Sequence, residues 1–91
     1  MTNEDLNLLN EISGYLIVHL KDLQEVNEFW NRFRNMVRAF RDFENSSTPE
    51  SEALARWSIG DRRDDLHLFC HRHGFSAGEI LQVEKMCRHC I

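Results

Sequence analysis

The chain has 91 residues, 42 % of them apolar and 29 % charged, with a formal net charge of −4. This is the balance of a single globular domain rather than a disordered segment, and one this small buries only about 60–65 % of its unfolded surface. Net acidity argues against general binding to nucleic acid or to an anionic membrane surface.

The opening MTNEDL is acidic and polar, unlike a secretory signal, and the longest apolar run, Tyr15 to Val18, is too short to span a bilayer. The three cysteines all fall in the last 22 residues, an odd number that does not suit a secreted disulfide framework. Together these features predict a cytoplasmic protein with free thiols and no membrane association.

The first predicted element is the longest. Leu9, Ile12, Leu16, His19, Leu23, Val26, Trp30, Phe33, Val37 and Phe40 recur at alternating spacings of three and four, which places all of them on one helical stripe. Tyr15, Leu20, Phe29, Met36 and Phe43 widen that stripe into a face suited to a helical bundle. No proline and only one glycine, Gly14, interrupt residues 4–44. One helix of about 60 Å is therefore expected. The alternative is a bend or break near residue 21, where Asp22 and Glu25 form a capping pattern but Lys21 occupies the place of an apolar staple.

Residues 45–48 read as a linker, and Thr48-Pro49 as the cap and first residue of a helix. A short helix through Leu54 and Trp57 is expected to stop at Gly60. Asp61 would cap a second helix, with Leu66, Phe69, Cys70 and His73 inward and Gly74 as its stop. Ser76 and Glu79 make a capping box, with Phe75 and Ile80 as its staple, for a last helix burying Ile80, Val83, Cys87 and Cys90. The fold class is all-α. A single domain, 1–91, would join a long N-terminal helix to a C-terminal three-helix unit, residues 49–91, ending in a tight helical hairpin.

Short C-terminal helices would cover only part of a 60 Å stripe. Self-association through Leu9, Ile12, Leu16, Leu23, Val26, Trp30, Phe33, Val37 and Phe40 is therefore expected, a dimer first. Charge is also segregated. Residues 1–31 hold six acids and one base, Lys21, whereas residues 32–41 hold Arg32, Arg34, Arg38 and Arg41 and no acid. Those four arginines are the first candidate surface for a partner protein.

Three other chemistries are written in the C-terminal half. Cys70, His73, Cys87 and Cys90 have zinc-like ligand types and spacing. A helix starting at Ser76, however, would carry Cys90 about 20 Å from His73, too far for one ion. Without that site, no cofactor is expected.

Residues 66–85, LHLFCHRHGFSAGEILQVEK, resemble a helix-turn-helix, with small Cys70 at the helix contact, Gly74 at the turn, and Phe75, Ile80 and Val83 apolar. The resemblance implies a dimeric DNA-binding regulator using residues 61–88, with Arg62, Arg63, Gln82, Lys85 and Arg88 as contacts. Glu79 and Glu84 on the same helix oppose it. Cys70 between histidines could be a nucleophile, but an inward-facing helical thiol is a poor one, and no phosphate loop or nucleophile elbow is present. The reading that best fits the whole chain is a non-enzymatic module that binds another protein, as an inhibitor, adaptor or regulatory subunit.

Overall fold

The computed structural model describes residues 2–90, which form four helices with no strand among them: α1 Asn3–His19, α2 Leu23–Glu44, α3 Pro49–Arg72 and α4 Ala77–His89. The all-α class is as expected, but the number and lengths of the helices differ from the sequence expectation at two places.

The first is the predicted 4–44 helix, which takes the alternative course and is broken at residues 20–22. Leu20 is extended (φ −102°, ψ 142°) and ends α1, and Asp22 is the N-cap of α2, its carboxylate accepting from the Glu25 N–H at 2.9 Å. The Glu25 carboxylate accepts from the Lys21 N–H at 2.6 Å. The capping pattern at Asp22 and Glu25 thus starts a new helix without the apolar staple at Lys21. In place of that staple, Leu20 turns into the core and is buried. Burial of one leucine outweighs the continuity of one helical turn.

The second is Gly60, which interrupts nothing. Residues 49–72 are one 24-residue helix, not two short ones, so the C-terminal part of the chain is a pair of helices rather than a three-helix unit. A mid-helix glycine costs about 1 kcal/mol. Buried Ala55, Leu66, Phe69 and Cys70 on either side of Gly60 lie on one helical face and hold the rod together.

α3 starts at the expected cap, with the Thr48 hydroxyl accepting from the Ser51 N–H at 3.1 Å and Pro49 in the first turn. It ends in a Schellman arrangement. Gly74 takes φ +86°, its N–H donates to the His71 carbonyl at 3.1 Å, and the Phe75 N–H donates to the Cys70 carbonyl at 3.0 Å. The Ser76–Glu79 capping box then starts α4, and the staple residues Phe75 and Ile80 are both buried.

α2 packs closely on α3, and α4 packs on α1 and α2. α3 and α4 are joined by the tight turn expected at Gly74, residues 73–76. They meet mainly through side chains such as the Arg63–Glu84 pair.

This arrangement revises the need for a second copy. Ile12 and Leu16 on α1, and Phe33, Val37 and Phe40 on α2, are buried inside the chain itself. Leu9, Val26 and Trp30 pack against the same core, and only Leu23 is open, at 74 % exposure. The break at residues 20–22 folds the long ridge into two arms that share one core. α3, at about 36 Å, is as long as α2. The expected ground for self-association through the stripe therefore does not hold. Phe29 lies at the centre of the core, stacked on Phe75 with ring centroids 6.0 Å apart and close to Trp30, Phe33 and Phe69.

Candidate functional site

The candidate reactive groups lie apart from one another or buried. Cys70 and Cys87 are wholly buried, and burial pushes the Cys70 thiol up to about 12 and raises that of Cys87 as well. Such thiols are poor nucleophiles and poor metal ligands at neutral pH. Cys90 is half-buried at the end of α4, its thiol also raised, first by burial. His73 is at the other end of the molecule, 3.7 Å from Glu25 at the start of α2. The four zinc-spaced residues are thus separated by α4. Among the described residues no group of three or more histidines, cysteines or carboxylates is placed to hold a metal.

The histidines form latches between helix ends. His19, closing α1, meets both oxygens of Glu79 at 3.0 and 3.2 Å and packs on the Phe75 ring at 4.7 Å. Hydrogen bonding from the Ser76 backbone, then from His19, holds the Glu79 carboxyl below its usual range. His73 Nδ1 lies near Glu25, 3.7 Å from its carboxylate, and the His19–Glu79 bond ties the α1–α2 corner to the α3–α4 turn. At the far end of α4, His89 meets Asp5 at 2.8 Å.

The DNA-contact candidates are already engaged within the chain. Lys85 lies 3.3 Å from Glu4, Arg63 is held by Glu84, Arg62 lies 3.9 Å from Asp61, and Arg88 covers the Phe40 ring at 5.1 Å. Gln82 is half-buried. These five positions therefore do not form a bare basic surface.

The four-arginine stretch divides in two. Arg32 faces α3, its Nε 3.5 Å from Asp65 and its guanidinium over the Phe69 ring at 4.7 Å. Arg34, Arg38 and Arg41 are exposed on the opposite flank of α2, and among the described residues no carboxylate lies within 4 Å of them. Together with Cys90 and the edges of Phe33 and Val37 they line a shallow groove of about 340 Å³. Asn27, Asn31 and Asn45 extend the same row, at the same three-and-four spacing, so this whole outer line of α2 lacks an acid.

A second exposed row is one that the sequence reading missed. Glu50, Leu54, Trp57, Asp61, Asp64, Leu68 and His71 share the three-and-four spacing and form the outer line of α3, all of them exposed. Leu54 and Trp57, the apolar residues of the short helix expected before Gly60, are 70 % and 71 % open. The signal was present in the spacing. It was hidden by treating Gly60 as a stop, which cut the row into two unrelated pieces.

Comparison of the chain with protein-family models, with curated proteins and with solved structures found no match.

Proposed function

We propose that this protein is a binding module that takes an acidic, partly apolar helical segment of a partner protein along the outer line of α2. The observation carrying this reading is the set of three exposed arginines, Arg34, Arg38 and Arg41, with no carboxylate within 4 Å among the described residues and with Phe33, Val37 and Cys90 as a floor. Arginine is suited to such a surface because its planar fork binds carboxylates in pairs and also stacks on aromatic rings. Burial of the other conspicuous groups, Cys70 and Cys87 above all, favours binding over chemistry. Three thiols without a disulfide among them fit a reducing, cytoplasmic setting, and no helix among the described residues is long and apolar enough to cross a membrane.

The test is fluorescence anisotropy with a labelled amphipathic peptide of glutamate, leucine and alanine, run beside its lysine counterpart. The acidic peptide should bind, and more weakly as salt rises from about 0.1 M to about 1 M and the Debye length falls from about 10 to about 3 Å. Binding should be lost in the combined Arg34→Glu, Arg38→Glu, Arg41→Glu variant and kept in Arg62→Glu. No binding of the acidic peptide, or equal binding of the lysine peptide, would refute the reading.

A further inference from the structure

The two exposed rows complement each other, and both belong to this chain. The outer line of α2 presents Arg34, Arg38 and Arg41 at spacings of four and three, and that of α3 presents Trp57, Asp61 and Asp64 at the same spacings. Laid side by side in parallel, Arg34 meets Trp57, Arg38 meets Asp61 and Arg41 meets Asp64. Laid antiparallel, Arg38 still meets Asp61, while Arg34 meets Asp64 and Arg41 meets Trp57. Either direction yields two arginine–carboxylate pairs and one guanidinium on the indole face, with Leu54 or Leu68 closing over the groove.

Asp64 has no basic side chain within 4 Å among the described residues, and Asp61 has only the loose, exposed contact with its neighbour Arg62 at 3.9 Å, which it would exchange for Arg38. A tryptophan 71 % open on the middle of a long helix is otherwise unexplained by the fold.

The two rows cannot meet within one molecule. Arg32 on α2 and Asp65 and Phe69 on α3 mark the flanks where the helices face each other, and both rows lie on the flanks turned away. We infer that the segment taken by the α2 groove is the α3 outer face of a second copy of this chain. The contact is head-to-tail, so each added copy leaves one free groove and one free acidic face. The assembly therefore grows by repetition of one contact, as an open chain or a ring. This rests on the proposed reading of the α2 groove and names its occupant.

The experiment is sedimentation velocity with light scattering on the full chain, using two surface variants checked for helicity by circular dichroism. One is Arg34→Gln, Arg38→Gln, Arg41→Gln, which disables the groove. The other is Trp57→Ser, Asp61→Asn, Asp64→Asn, which disables the face. The unaltered chain should show a mass that grows with concentration and shrinks with salt. Each variant alone should sediment as one chain. An equimolar mixture of the two should stop at a complex of two chains, because each supplies the half the other lacks.

A single-chain mass for the unaltered protein at every concentration would overturn the inference. If the glutamate peptide still bound that monomer, the groove reading would stand and the occupant would be another protein. Assembly that persists in either variant, or a mixture that stays at one chain, would also overturn it.

Discussion

The two ends of this bundle are built differently. At the end where the α1–α2 corner meets the α3–α4 turn, every connection is tied. His19 holds Glu79, His73 lies beside Glu25, Gly74 ends α3 with a left-handed residue, and Phe75 stacks on Phe29. At the other end, residues 45–48 join α2 to α3, and the adjoining half of α3 buries only Ala55 while leaving Leu54 and Trp57 open. The first end is tied at its turns, whereas the first half of α3 at the second end carries Leu54 and Trp57 that the core does not use. The proposed groove, Arg34 to Arg41, lies in the half of α2 that leads to this second end.

That contrast can be broken by substitution, with urea melts followed by circular dichroism as the measure. The largest effect is expected from Phe29→Ala, which empties the centre of the tied end and should cost about 3–5 kcal/mol. Next is Gly74→Ala. An added Cβ would lie 3.6 Å from the His19 ring, an ordinary contact, so the cost comes from φ +86° and should be about 1–2 kcal/mol. Gly74→Asn should cost less.

On the open side the sign reverses. A Cβ at Gly60 meets nothing within 4 Å, and Gly60→Ala should stabilise by about 0.5–1 kcal/mol. If it destabilised instead, α3 would not be one continuous helix.

A smaller effect is expected with pH. Glu79 is held below its usual 4.5 in the folded chain, so it contributes stability above that value and loses it as pH falls through its lowered pKa. Acidification below pH 4.5 should therefore weaken the fold, and Glu79→Gln should flatten that limb. Asp5, held low by His89 at the far end of α4, leaves a residual slope. The smallest effect is Trp57→Ser, which should change stability by no more than about 0.5 kcal/mol.

Much of the tied end is legible in the amino-acid order because its signals are local. The Ser76–Glu79 box, its Phe75–Ile80 staple and the stop at Gly74 each depend on residues within a few positions of one another. The break after Leu20 is less legible. The capping pattern at Asp22 and Glu25 competes with an uninterrupted apolar stripe, and a buried Leu20 decides between them. Nothing near residue 20 in the chain announces that burial, because the core it enters is built from all four helices.

Gly60 misleads for the opposite reason. A glycine before an aspartate has the local form of a stop and a cap, yet Leu66, Phe69 and Cys70 on the same rod outweigh it. The arginine stretch was half readable. Its composition marks it, but only the packing of α3 separates Arg32, which faces inward to Asp65, from the three that face out.

The position of Cys90 offers a practical opportunity. It is the most accessible of the three thiols and borders the Arg34–Arg38–Arg41 groove, while Cys70 and Cys87 are sealed in the core. A maleimide dye should therefore attach at Cys90 alone, in the unaltered protein, with no engineered handle. Its emission would report directly whenever anything settles beside it, turning an incidental sulfur into a built-in gauge of occupancy.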